Sequence, residues 1–460
     1  MTERLDRSLL YTYGIADLCF MFLVNLELVF FPRFLTDYAQ FSLAIVSQIV
    51  LITSLVDTVC SLVAGVILQR VTLRFGGKYR SWFLVGPPIV AVLFVLQFVK
   101  IGSDPVAATI IIVAFIVSHL VWNIAFTAGG AMVGRLSRLS DEQTILSANR
   151  AQGITAGSLI FSASAVPMIM FFGSRTSEMA GLTIAVSVYA FLMIIGYYYV
   201  YRITAGRDPY DESAVNVPKS ESRQSVREMI GLVFKNPPLL RLTLAESFRN
   251  GSVFVILSFA TYYFKYVLHN DAFLSVFLLC TSIGGLIGAS AASWIGTRIG
   301  KRKCYWIFLA LSVLFCAAAR ITGGSAWIFT VVLSISFLFG NVAGALSTAL
   351  FSDTVVYGEW KTGGNVRAFA MSLIAFSAKI GVLIRSAVIA LGLAGIQFVA
   401  NAVPTPRVIS GINNLMTIVP AAVGAIAVIV FYFGYRIDDA QVLQMQNEIA
   451  TKKAKEAASI

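Results

Sequence analysis

Residues 47–65 read SQIVLITSLVDTVCSLVAG. The stretch has the length of a helix that crosses a bilayer, about 20 residues, and its one charge is Asp57. In water it could only be a buried core helix. The composition around it excludes water as the main solvent. The 460 residues are 58% hydrophobic and 13% charged, whereas a soluble domain carries about 25% charged residues. No soluble core of this length hides so many apolar side chains, so the lipid bilayer is the solvent.

Runs of this kind recur along the chain, roughly at 11–33, 42–68, 82–99, 106–131, 151–172, 179–201, 242–267, 272–296, 305–322, 326–352, 368–396 and 411–435. Backbone polar groups find no water in hydrocarbon, so each run is predicted as an α-helix. The expected fold class is an all-α membrane protein of 12 transmembrane helices in two six-helix bundles. The basic residues orient it. With residue 1 in the cytoplasm, most of the 35 Lys and Arg fall in inside segments, and Arg33, Lys100, Arg175, Lys265, Arg320 and Arg407 fall outside. Both termini are therefore expected to be cytoplasmic. The net charge of +12 reads as a solvated basic face beside anionic lipid, with no nucleic-acid partner. The five cysteines form no CxxC pair, which argues against a disulfide framework or a metal site. Asp17 and Glu27 interrupt the first run, so it is not read as a cleavable signal peptide.

The longest internal polar segment, 202–240, contains AGRDPYDESAVNVPKSESRQSV and reads as a linker. It divides the chain into a first bundle (1–201), a cytoplasmic linker (202–240), a second bundle (241–435) and a cytoplasmic tail (436–460). A repeat supports the division. RFGGKYRSW (74–82) follows the second run and RIGKRKCYW (298–306) follows the eighth, with Arg, Gly and Trp matching at one constant offset. Duplicated bundles that rock about a central site are the design of secondary transporters. A P-loop or a Rossmann glycine pattern is not legible, so the energy source is expected to be an ion gradient, H+ or Na+, without a cofactor.

The stretch 353–379, DTVVYGEWKTGGNVRAFAMSLIAFSAK, carries a knot of charges and then one lysine in an apolar run. Asp353, Tyr357, Gly358, Glu359, Trp360, Lys361, Thr362 and Gly363, followed by Lys379, resemble the signature of the glycoside–pentoside–hexuronide:cation symporters. These are the melibiose carrier family within the major facilitator superfamily. YTYGIAD (11–17), FLTD (34–37), GGKYRSWFL (76–84), NIAF (123–126) and TPRVISGI (405–412) look like further landmarks, so the resemblance covers nearly the whole chain. Val356, Asn365 and Arg367 depart from the family pattern, which implies rearranged ion pairs at the inner gate. The gating candidates are Asp353, Tyr357, Glu359 and Arg367.

Ionisable groups inside a bilayer are expensive, so each is a candidate for function. Asp57 lies mid-run, with Thr53, Ser54 and Ser61 on its face at helical spacing. It reads either as a coupling acid or as a buried helix–helix hydrogen-bond partner. The resemblance places the coupling acid here and adds a second acid one turn later, where this chain has Ser61. A hard cation wants several oxygen ligands, so a proton is favoured over sodium, with Asp57, Ser61 and His119 as the coupling set. His119 and Asn123 share a face of the fourth run, beside Trp122, whose indole could stack on a sugar ring. Asn123 and Arg150 match sugar-contacting positions of the family. The family's sugar-binding acid on the first helix falls at Met21, with Asp17 and Asn25 on the same face. Glu246 and Arg249 are three residues apart and can pair. Lys379 lies too deep for a surface residue and is expected to meet an acid of the other half. The substrate-binding candidates are Asp17, Asn25, Trp122, Asn123, Arg150, Arg249 and Lys379.

The expectation is proton-coupled symport of a glycoside, hexuronide or related sugar acid by a monomer in a bacterial inner membrane. Alternatives keep the fold and carry a sulfonated sugar, another organic anion or an amphiphile, with or without coupling. A membrane enzyme would need a catalytic cluster, and a receptor a soluble sensor domain. Arg249, Lys379 and Arg385, with Arg150 nearby, give the site a surplus of positive charge when Asp57 is protonated. That surplus favours an anionic solute.

Overall fold

The computed structural model describes residues 4–71, 73, 76–137, 139–208, 236–322, 324–362 and 367–458, with backbone only at 62, 69, 140, 362, 367–370, 372 and 453–458. The centre of the predicted linker, Arg74 of the repeated turn and the Arg367 side chain lie outside the described residues. Among the described residues the chain is helical and contains no strand. The helices are α1 (Arg7–Thr12), α2 (Ile15–Arg33), α3 (Leu43–Arg70), α4 (Arg80–Leu96), α5 (Asp104–Leu136), α6 (Ser140–Gly173), α7 (Glu178–Ile203) and α8 (Pro237–Tyr262). They continue with α9 (Phe273–Ile299), α10 (Lys301–Ala318), α11 (Ala326–Thr362), α12 (Arg367–Gly395), α13 (Pro406–Met416), α14 (Ile418–Gly434) and α15 (Asp439–Ala458). Ten helical spans among the described residues are long and apolar enough to cross a membrane. The α4 helix is apolar but shorter, and α8 is diluted by Arg241, Glu246 and Arg249.

The chain forms two compact units. Unit 1 holds residues 1–218, 260–279 and 389–405, and unit 2 holds 219–259, 280–388 and 406–460. The units thus cut across the sequence halves, because two segments from the second half join unit 1. Within unit 1, α2 packs on α6 and α7, α5 packs on α3 and α4, and α4 also meets α7. Within unit 2, α10 packs on α11 and α14. Glycines set the close crossings. A Cβ at Gly153 or Gly157 of α6 would overlap the carbonyls of Gly14 and Leu18 beside α2. In unit 2 a Cβ at Gly284 or Gly288 of α9 would strike the carbonyls of Ser334 and Leu338 on α11. Lipid gives helices no hydrophobic reason to associate, so close backbone packing over small residues carries the association.

The backbone shows the duplication more sharply than the matched turns do. Both α2 and α8 end in a single π-helical turn, Phe34–Tyr38 and Tyr263–Val267. Each is closed by an i to i+5 hydrogen bond, Ala39 N–H to Phe34 O (2.8 Å) and Leu268 N–H to Tyr263 O (3.1 Å). Each is followed by a left-handed residue, Gln40 (φ 53°) and His269 (φ 50°). The same uncommon sequence of turns thus closes both α2 and α8.

The predicted tail contains helix α15, which lies on α11. The Trp360 indole donates to Glu448 Oε2 (2.7 Å) and holds that carboxyl below its ordinary range.

The α2–α6 contact yields a stability test. Gly157→Leu is expected to lose about 1–3 kcal/mol or more by overpacking. Gly134→Ala on α5, where a Cβ meets nothing within 4 Å, is expected to leave the melting temperature in detergent unchanged or slightly raised. Equal melting temperatures for the two variants would refute the close α2–α6 approach.

Candidate functional site

Unit 1 gathers most of the ionisable residues singled out from the sequence. Asp57 on α3 is buried, and its Oδ1 accepts from Asn123 Nδ2 on α5 (3.0 Å). Asn123 Nδ2 also donates to His119 O (2.7 Å), so one amide group joins the carboxylate to the preceding turn of α5. His119 Nε2 lies 2.8 Å from Glu27 Oε2 of α2. Both of those side chains are buried among aromatic rings, with Phe115 stacked on the imidazole at 3.6 Å between centroids. Helical spacing puts His119 and Asn123 on one face. It gives no reason to pair Glu27 with His119, which lie 92 residues apart.

Ser61 donates to Thr58 O of its own helix (2.8 Å). Thr53 and Ser54 likewise donate to Ile49 O and Val50 O, a common way for a hydroxyl in an apolar helix to satisfy its proton. Trp122, expected to offer a stacking surface to a sugar, is instead buried in unit 1, with Phe20 at 4.4 Å, His119 at 5.1 Å and Phe94 at 5.8 Å. Its rings pack the helix interface and hold His119 in plane.

Asp17 and Arg150 form a two-pronged ion pair, Nε to Oδ2 at 2.8 Å and Nη2 to Oδ1 at 2.7 Å. The guanidinium lies beside Gly129 and Gly130 of α5, where a Cβ at Gly130 would come within 3.0 Å of Nη1 and one at Gly129 would make ordinary contact. Asn25, two turns beyond Asp17, donates to Met21 O (2.8 Å) and Ser158 Oγ (3.2 Å) and bridges α2 to α6. The pairing of Arg150 with Asp17 corrects the charge count read from the sequence, in which Arg150 stands as surplus.

In unit 2, Glu246 accepts from Arg249 Nε (2.9 Å) and Nη2 (2.8 Å), and from the Tyr305 hydroxyl (2.6 Å). The i,i+3 pair read from the sequence is present, and Arg249 also reaches Asn250 Oδ1 (3.0 Å). Tyr305, from the repeated basic turn, is an addition that the spacing does not predict. Arg249 is therefore charge-matched as well. The other two basic candidates for an anionic solute, Lys379 and Arg385, both lie on α12. Lys379 is half-buried about three turns into that helix, and Arg385 is buried.

Among the gating candidates, Asp353 Oδ2 binds Lys301 Nζ (2.6 Å), which also lies 3.3 Å from Asp439 Oδ1. Tyr357 accepts from Lys361 Nζ (3.4 Å), and Glu359 is half-buried.

A second charged cluster is not legible in the sequence. Arg33 grips Asp271 through two bonds (3.0 and 2.7 Å) and lies 3.5 Å from Asp37. Asp37 Oδ2 accepts from Lys265 Nζ (2.6 Å) and the Tyr266 hydroxyl (2.9 Å), while Asn401 Nδ2 donates to Asp37 O (2.7 Å). The basic-residue count places Arg33 and Lys265 among ordinary outside charges, yet Arg33 is buried. Opposite charges on the two matching π turns, Asp37 and Lys265, are the signal that could have found the cluster.

The Asp17–Arg150 pair gives a double-mutant test. Either Arg150→Gln or Asp17→Asn strands a partly buried charge and is expected to cost about 3–5 kcal/mol. The double variant should recover much of that loss. Additive losses in detergent unfolding would show that the two do not interact.

The sequence profile of the family described as MFS/sugar transport protein matches residues 12–439. An uncharacterized symporter of Bacillus subtilis is 25% identical over 455 residues, 98% of this chain and 96% of that protein. A putative sulfoquinovose importer of Escherichia coli is 24% identical over 462 residues, 100% of this chain and 97% of that one. A glucuronide carrier protein homolog of Escherichia coli is 26% identical over 471 residues, 98% of this chain and 97% of that one. Among solved structures, the nucleoside transporter NupG superposes with a TM-score of 0.65 at 12% identity, over 93% of this chain and 99% of that one. At that identity the likeness speaks for the fold.

Proposed function

The chain belongs to the MFS/sugar transport protein family, and from that premise we propose that it is a proton-coupled symporter of a glycoside, hexuronide or related sugar acid. Its relatives and structural neighbours are transporters, not enzymes, and the chain is a multi-pass membrane transporter. In our reading, α4 and α8 join the ten long apolar spans to make twelve, in two bundles at 1–201 and 241–435. The linker (202–240), the tail (436–460) and both termini are cytoplasmic. The protein works as a monomer in the bacterial inner membrane and uses no cofactor beyond the coupling ion.

One observation carries the coupling proposal. Asp57 is a buried carboxylate held by a neutral amide, Asn123, at 3.0 Å, and the next turn of α3 offers Ser61 rather than a second acid. A sodium ion needs several oxygen ligands, whereas a proton needs one basic atom. Asp57 is proposed as the coupling acid, with Ser61 and His119 beside it in the coupling set. Asp17, Asn25, Trp122, Asn123, Arg150, Arg249 and Lys379 are the proposed substrate residues, with Lys379 meeting an anionic group. In this conformation Arg150 and Arg249 are ion-paired and Trp122 is packed among rings, so a solute reaches them by exchanging with those partners. Asp353, Tyr357, Glu359 and Arg367 are the proposed gating residues. A sulfonated sugar is the second reading, because one relative is named a putative sulfoquinovose importer and a basic side chain that binds carboxylate can bind sulfonate in the same way.

In vesicles, an inward pH gradient is expected to drive accumulation, and replacing external sodium by potassium should change it little. Asp57→Asn should abolish uphill accumulation while sparing exchange. Full accumulation by Asp57→Asn, or a strict sodium requirement, would refute proton coupling at this residue.

Substrate charge is tested by competition. A glucuronide and sulfoquinovose are each expected to compete at least tenfold better than the neutral glucoside of the same aglycone, a difference of about 1.4 kcal/mol. Lys379→Ala should erase the preference. Equal competition by the neutral sugar would leave the transporter assignment intact and remove the anionic substrate.

A further inference from the structure

Glu27 belongs to neither the coupling set nor the substrate set, yet it is a buried carboxyl in a spanning helix, and such groups are rare without a task. Its Oε2 lies 2.8 Å from His119 Nε2. The other imidazole nitrogen, Nδ1, lies 3.0 Å from the carbonyl oxygen of Phe115. A carbonyl can only accept, so this contact takes a hydrogen on Nδ1; Ser118 Oγ, 3.3 Å from Nδ1, gives its own hydrogen to the same carbonyl at 2.9 Å. Nε2 then either carries a second hydrogen, as imidazolium facing a carboxylate, or accepts from a protonated Glu27. Both arrangements place one proton between the two atoms. Without that proton, two lone pairs would face each other at hydrogen-bond distance in a low dielectric, and the contact would open.

The rest of the neighbourhood can transmit that opening. The imidazole stacks with Phe115 (3.6 Å, 4° between planes) and with Trp122 (5.1 Å, 12°). It cannot tilt without disturbing α5. Its backbone carbonyl accepts from Asn123 Nδ2, the same group that holds Asp57. The groups linked to the pair by hydrogen bonds are Asp57 on α3 through Asn123 and Gln97 beside α4 through Ser118 (2.7 Å), while α6 and α7, which also pack on α2, bring Arg150, paired with Asp17, and Tyr189, bonded to Ser164 (2.7 Å). The other charged pair on α2, Asp17–Arg150, is ten residues away, about 15 Å along the helix.

We propose that Glu27 and His119 form a second protonation site that stores one proton between α2 and α5 and is linked to Asp57 through Asn123. The proposal rests on the proton-coupled reading and supplies the second acid that α3 lacks. Loading adds one H+ from water to the carboxylate–imidazole pair. Unloading returns it to water and leaves Glu27 charged and His119 neutral, so atoms and charge balance.

The chain has only two histidines, and the other, His269, lies in the turn after α8. The test is histidine-selective 15N NMR of the purified full chain in a His269→Asn background, titrated through the neutral and alkaline range. The expected result is a protonated Nδ1 and, in the loaded state, a strongly downfield proton shared by Nε2 and Glu27. That proton should be lost in one transition. In Glu27→Gln the side-chain amide donates to Nε2, and the transition should vanish. In Asp57→Asn the transition should shift, as expected of coupled sites. A bare Nε2 at every pH in the parent, or an unchanged transition in Glu27→Gln, would overturn the proton store. An unmoved transition in Asp57→Asn would overturn its link to Asp57. None of these readouts uses a substrate or a gradient, so failure of vesicle uptake to respond to pH would refute the coupling reading separately.

Discussion

A charge removed from water into a bilayer costs several kcal/mol unless a partner and hydrogen bonds replace its hydration. That constraint organises both units. Asp17 with Arg150, Glu27 with His119, and Glu246 with Arg249 are close pairs within helices, and Arg33 at the end of α2 grips Asp271 in the turn before α9. At Asp57 the hydrogen of a neutral amide makes the contact. The aromatic rings around His119 and the glycines under Arg150 follow from the same need. They shape space so that each charged group reaches its partner.

Pairing of this kind has a functional side. A fully matched pair has little left to offer a solute, so Arg150 and Arg249 are poor anchors while their carboxylates are in place. A pair that holds one exchangeable proton can change state with a gradient. The α5 helix carries His119, Trp122 and Asn123 in little more than one turn, so the Glu27 contact, the ring packing and the hold on Asp57 share one short stretch of backbone.

The two π turns share a backbone but not a charge pattern, since Asp37 is the fourth residue of Phe34–Tyr38 and Lys265 the third of Tyr263–Val267. The π turns after α2 and α8 present Asp37 and Lys265, and these meet directly at 2.6 Å with Tyr266 and Asn401 around them. A π turn adds a residue to the helix end and rotates the chain beyond it. In each half it turns one charged side chain toward its counterpart.

The sequence by itself determined the solvent, the helical class and the family. These depend on run length, on composition, on the basic-residue bias and on motifs such as 353–379, all of which are local. It also determined the Glu246–Arg249 pair and the shared face of His119 and Asn123, because helical spacing brings such neighbours together. Only the tertiary structure decided the pairs that cross between helices. Glu27 and His119 are 92 residues apart, Asp17 and Arg150 are 133 apart, and Asp37 and Lys265 are 228 apart. Helical periodicity says which residues share a face of one helix. It says nothing about which other helix that face will meet, since that is set by where glycines such as Gly153 and Gly157 let two backbones approach.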